Sequence, residues 1–112
     1  MTSENVTTIL GHTPPITFVC NAAKDRWNRE VRGVGFAHAI PLFAGAVWEV
    51  ADRRKDYGES RITAYGLVEG RLYVCVYTDR QVGEHVVRRI ISLRKGNRRE
   101  WQAYQDESSK PA

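Results

Sequence analysis

The chain has 112 residues, 42% of them hydrophobic, enough for one domain that buries about two-thirds of its unfolded surface around a single core. Its formal net charge of +4 favours acidic partners without specifying one. Two cysteines, with no CxxC or Cys/His spacing, exclude a zinc ribbon or a disulfide framework, and no apolar run reaches the roughly 18 residues of a membrane span.

The opening stretch, "MTSENVTTILGHTPP", is polar and ends in two prolines, and reads as a flexible N-terminal tail over residues 1–15. It lacks the basic and apolar regions of a signal peptide, so a cytoplasmic location is expected. "ITFVC", residues 16–20, is β-branched and apolar and reads as a strand. Asn21 then caps a helix expected from Ala22 to Arg32, with Ala23, Trp27 and Val31 on one stripe and Gly33 as terminator. "GFAHAIPLFAG" predicts a short second helix, with Phe36, Ala39, Ile40 and Phe43 on one face and Pro41 shortening it.

After Gly45 the period changes from about 3.6 to 2. "AVWEVADR", "RITAYGLV", "RLYVCVYT" and "EHVVRRIISL" read as four sequential strands, separated by "RKDYGES", "EG" and "DRQVG", which carry turn residues. Such a series forms an antiparallel meander, and "RLYVCVYT", apolar on both alternations, should lie centrally with both faces covered. Asn97 can cap a last helix with Glu100 at N3, and Trp101 and Tyr104 supply its apolar edge. The remaining residues, 106–112, read as a flexible C-terminal tail. The predicted order is therefore β-α-α-β-β-β-β-α over a domain of residues 16–105. That is an α+β fold, with helices packed on one side of a small antiparallel sheet.

Cys20 and Cys75 sit inside apolar runs and are expected to be reduced core residues. His12, His38 and His85 are isolated and predict no metal site or metal cofactor. GxxxxGK, GxGxxG and GxSxG are all missing, so nucleotide-fold and hydrolase-elbow chemistry have no support.

The charge is concentrated. From Arg88 to Arg99 the chain carries six basic residues and no acid. This run and "DRRKDYGESR", residues 52–61, leave and enter strands of the expected meander, so they can converge at one end of the sheet. Arg61 opens a strand and Arg94 ends one, and a guanidinium on a rigid element grips phosphate bidentately. Edge arginines that only keep a sheet soluble fit the same spacing. Both alternatives remain open on the residues alone.

Four ordered pieces carry more information: "FVCNAAKDRWNREVRGVGFAHAIPLF", "DRRKDYGESR", "LYVCVYTDR" and "RRIISLRKGNRREWQAY". With the spacings D-x-R, G-E-x-R, Y-T-x-R and R-I-I-S-x-R-K, they resemble the BrnT ribonuclease toxins, RelE-like toxins of type II toxin–antitoxin systems, from about Phe18 to Tyr104. The resemblance implies a RelE-like fold and an endoribonuclease that inhibits translation. It also implies a partner antitoxin with a ribbon-helix-helix DNA-binding part (BrnA-like), through which the toxin would meet operator DNA indirectly. The motif positions fall on Asp52, Arg54, Gly58, Glu59, Arg61, Tyr77, Thr78, Arg80, Arg89, Ser92, Arg94 and Lys95, with Lys24 and Asn28 matching in the first helix. The chain departs from many members in having Val31–Arg32 in place of Lys-His, Lys55 in place of His, and Leu93 and Gly96 in place of Ala.

Metal-independent RNA cleavage needs the 2′-hydroxyl to lose a proton and attack phosphorus in line. Charge then builds on the phosphoryl oxygens, and the leaving 5′-oxygen takes a proton. In that scheme Arg61 and Arg94 stabilise the charge, with Arg80 and Arg89 supporting them. Glu59 is the expected general base and Tyr77 the expected proton donor, although Glu59 could instead pair with Arg61, and Tyr77 could pack beside Tyr73 and Cys75. Lys24, Arg53, Arg54, Lys55, Lys95, Arg98 and Arg99 are candidate RNA-tracking charges, as is Arg88. The alternative is a non-catalytic nucleic-acid-binding or regulatory relative of the same fold; a structural interaction protein without RNA affinity is a third class.

Overall fold

A computed structural model describes residues 6–53 and 58–111. Six strands, β1 (Thr7–Thr13), β2 (Ile16–Asn21), β3 (Val47–Ala51), β4 (Ile62–Val68), β5 (Arg71–Val82) and β6 (His85–Lys95), form one sheet in the order β1-β2-β6-β5-β4-β3. Three α-helices, α1 (Ala22–Trp27), α2 (Ala39–Ala44) and α3 (Arg98–Ser108), complete an α+β fold. The meander from β3 to β6 is antiparallel throughout, as the period-2 pattern predicts. Glu69 and Gly70, both at positive φ, form the two-residue turn between β4 and β5 that the local chemistry calls for.

Several expectations need correction. The supposed N-terminal tail contains β1, which pairs antiparallel with β2 across the Pro14–Pro15 turn. Threonine and isoleucine suit a half-exposed edge strand, so polar composition there did not mean disorder. β2 lies parallel to β6, making the sheet mixed rather than antiparallel. "DRQV" is not loop, because β5 runs on to Val82 and turns tightly through Gly83 and Glu84. At the other end α3 extends through Ser108, beyond the expected tail boundary.

The helices also do not share one side. Toward α1 and α2 the sheet presents Phe18, Cys20, Ala64, Tyr73, Cys75, Tyr77, Ile90 and Leu93, which close the core with Val34, Phe36, Ala39 and Leu42. Gly66 lets α2 approach, since a Cβ there would come within 2.7 Å of Leu42 Cδ1. Alternation sends Trp48, Tyr65, Val74 and Arg94 to the opposite face, where α3 meets them through Glu100 and Tyr104. Asn97 and Glu100 form the reciprocal capping box that starts this helix.

The first helix begins as expected, Asn21 Oδ1 accepting from the Lys24 amide at 3.0 Å. After Trp27 it widens into a π-turn, Asn28–Arg32, and ends on left-handed Gly33. Its predicted apolar stripe does not face the core: Trp27 is 50% and Val31 61% exposed, whereas Asp25 and Asn28 are buried. Both buried groups are satisfied. Asp25 accepts from the Phe36 amide (2.8 Å) and Arg29 (2.7 Å), and Asn28 donates to the Leu93 (2.6 Å) and Val34 (3.0 Å) carbonyls. β2 stops at Asn21, so Asn28 supplies a donor that a neighbouring strand would otherwise have offered to the upper part of β6.

Candidate active site

Cross-strand register arranges the open face, opposite α1 and α2, as a grid. One row is Trp48, Tyr65, Val74 and Arg94; the next is Val50, Thr63, Val76 and Ser92. A third brings together Asp52, Arg61, Thr78 and Arg89, with the Asp52 amide donating to the Arg61 carbonyl at 2.9 Å and Thr78 opposite Arg89. Arg80 lies beyond, across from Val87. Arg80, Arg89 and Arg94 therefore stand on β5 and β6, which their own ladders hold rigid, and Arg61 immediately precedes β4.

Two clefts open here. The first, about 470 Å³, is lined by Arg32, Asp52, Arg53, Ser92, Arg94 and Glu100 above the apolar side chains of Val50, Val74 and Val76. The second, about 570 Å³, is lined by Glu59, Ser60, Thr78, Arg80 and Arg89. Each of the two arginines expected to act together has a carboxylate partner. Arg94 donates from Nη1 and Nη2 to the two Glu100 oxygens at 2.8 and 2.7 Å, and this bond holds the Glu100 carboxyl below its ordinary range despite some opposing burial. Arg61 donates to Glu59 at 3.1 and 3.2 Å. Across two strands and two rows, the Arg61 and Arg94 Cα atoms lie about 16 Å apart.

A model of the family described as "Ribonuclease toxin, BrnT, of type II toxin-antitoxin system" matches residues 21–100. The chain belongs to this family. The match begins at the cap of α1 and ends at Glu100, so it spans the meander and both clefts while leaving out β1 and most of β2. No curated protein matches the chain.

The BrnT motif positions do not all reach the open face. Tyr77 points into the core and donates its hydroxyl to Glu49; burial first, then that bond, pushes its pKa up. Arg88, expected as steering charge, packs beside it. Its guanidinium donates to Asp79 at 2.8 and 2.9 Å and lies over the Phe43 and Tyr77 rings. Burial opposes the Arg88 charge, but Asp79 outweighs it and raises the pKa. Asn28 is the structural bridge already described.

Among the candidate RNA-tracking residues, Arg53 lines the first cleft, and Arg54 and Lys55 lie outside the described residues. Lys24 and Arg99 are exposed on helices. Lys95 and Arg98 line a separate groove with Arg71 and Trp101. There a Cβ on Gly96 would come within 2.5 Å of Leu72 Cδ2, which gives the departure from Ala at this position a packing cause. Arg32, Thr63 and Tyr65 were missed as site residues. Strand alternation could have put Thr63 and Tyr65 on one face with Arg61, but no local signal brings Arg32 to the cleft.

Among the described residues no group of three or more His, Cys, Asp or Glu could hold a metal, and no helix is long and apolar enough to cross a membrane.

Proposed function

We propose that the chain is a RelE-like endoribonuclease toxin that cleaves RNA without a metal, by attack of the 2′-hydroxyl on the adjacent phosphorus, and so inhibits translation in the cytoplasm. The observation that carries this is the open sheet face, where Arg80, Arg89 and Arg94 stand beside two clefts and Arg61 is tied to Glu59 at their margin. A single RNA strand laid across that face meets guanidiniums at successive positions. Those next to the reacting phosphate stabilise its developing charge, and each such group contributes about 10² to 10³ in rate.

Glu59 is the candidate base: of the two carboxylates that line the second cleft beside Arg80 and Arg89, Asp79 is held by two hydrogen bonds from Arg88. It must exchange part of its contact with Arg61 for the 2′-hydroxyl. Arg61 is then released toward the phosphate, so one movement would supply both groups. The leaving 5′-oxygen takes its proton from water in the open cleft, since a protein donor would need hydrogen-bond reach of that oxygen. Tyr77, buried and bonded to Glu49, is better suited to ordering β5 than to that step. Arg53 and the more distant Lys24, Lys95, Arg98 and Arg99 serve as tracking charge or as contacts for an acidic segment of the antitoxin. That partner would carry a ribbon-helix-helix part and bring the toxin to operator DNA.

Purified protein incubated with RNA in excess chelator tests the proposal. Fragments ending in cyclic or 3′-phosphate, with DNA left intact, are the expected result. RNA that stays whole at micromolar protein overturns cleavage. Arg32 and Lys55, which stand where many family members carry histidine, favour a second reading as a non-catalytic RNA-binding relative. In that case affinity falls steeply with salt while no RNA is consumed.

A further inference from the structure

One row of the open face has a composition that charge stabilisation alone does not use. Trp48 of β3, Tyr65 of β4, Val74 of β5 and Arg94 of β6 are successive cross-strand partners. The Trp48 and Tyr65 rings are stacked, with centroids 4.7 Å apart and planes inclined by 29°. Trp48 therefore covers one face of the Tyr65 ring. The other side looks along the row toward Val74 and Arg94, which line the first cleft together with Tyr65.

An aromatic face, a short apolar neighbour and an arginine whose Cα lies about 10 Å from the tyrosine Cα, two strand spacings away, match the parts of a nucleotide in sequence. The base is flat and apolar on its faces, and the phosphate carries the charge. Among the described residues Arg32 and Arg53 line the same cleft and, with Arg94, outnumber its acids, Asp52 and Glu100, so an anionic strand is the occupant that the charge favours.

We propose that Tyr65 is a stacking platform for one nucleobase of single-stranded RNA, next to the phosphate that Arg94 holds. This rests on the reading of the chain as an RNA-acting toxin and adds the group that positions the strand. Any base presents a π-face, so the platform sets the register of the backbone on the arginines rather than selecting a sequence. Trp48 acts through Tyr65, holding its ring upright.

A short 2′-O-methyl oligoribonucleotide is the test probe, because it lacks the nucleophilic hydroxyl and reports binding alone. Tyr65→Leu should weaken binding about 5- to 150-fold, the range for loss of one stacked base, while Tyr65→Phe should bind as the wild type does. A single abasic residue moved along the probe should weaken wild-type binding by that factor at one position. At that position Tyr65→Leu should show no further loss. Equal affinity of Tyr65→Leu and wild type overturns the platform, as does an abasic scan with no sensitive position. If melting shows Tyr65→Leu to be unfolded, the scan on the wild type and Tyr65→Phe decides. Cleavage of unmodified RNA is scored separately: intact RNA with Tyr65-dependent binding overturns the enzyme and keeps the platform, whereas cleavage with Tyr65-independent binding does the reverse.

Discussion

Arg94 and Glu100 are joined by two parallel hydrogen bonds, 2.8 and 2.7 Å, that tie the end of β6 to the first turn of α3. Glu100 also closes the capping box, accepting from the Asn97 amide at 2.9 Å. One carboxylate thus starts a helix and orients an arginine that lines the first cleft.

That double use predicts a pH signature. The Arg94 bond lowers the Glu100 pKa on folding, so its stabilisation is full above the unfolded value, near 4.5, and is lost as pH falls through the folded one. Glu100→Gln should destabilise the protein by about 1 kcal/mol at neutral pH, as for a part-exposed ion pair. Melting curves from pH 3 to 7 should converge with wild type at the acid end, and parallel curves would refute the coupling.

Asn28 separates architecture from chemistry. Its amide serves the Leu93 and Val34 carbonyls, and Asn28→Ala leaves two buried acceptors unmet, a loss of about 2 to 4 kcal/mol. Denaturant unfolding should show this. RNA cleavage per folded molecule should be unchanged, and a selective loss of turnover would give Asn28 a direct part in the reaction.

Arg61 and Arg94 stand about 16 Å apart at Cα, a spacing that suits different phosphates of one strand. Arg61→Ala, beside the candidate base Glu59, should lower single-turnover cleavage about 10²- to 10³-fold with a smaller effect on binding, whereas Arg94→Ala, at a neighbouring phosphate, should act mainly through weaker binding of the strand. Sites this far apart have additive energies unless they are coupled, so the double variant should show the product of the two losses. A double variant no worse than either single one would mean that both grip the same phosphate.

Tyr77 offers a sharp alternative test. Tyr77→Phe keeps the ring under Arg88 and deletes the hydroxyl that Glu49 accepts. Stability should fall by about 1 kcal/mol, the net worth of one hydrogen bond, while cleavage should persist at close to the wild-type rate. A large fall in turnover would restore the tyrosine as the proton donor.

Local features were legible in the sequence. The meander followed from alternation between Ala46 and Leu93, the Glu69–Gly70 turn from its residue types, and the Asn97–Glu100 cap from their spacing. Each depends on neighbours within a few residues, and so did the family motifs that pointed to Arg61 and Arg94. The tertiary structure decided what depends on remote partners. Asn28 is buried because its amide meets a carbonyl 65 residues away, which turned Trp27 and Val31 outward against their helical period. Arg88 and Arg89 differ by one position and so face opposite sides of the sheet, one packed over the Tyr77 ring and the other exposed beside Glu59. Only the register of β3 to β6 set Tyr65 in one row with Arg94, because neighbours across a sheet are chosen by strand pairing and not by chain distance.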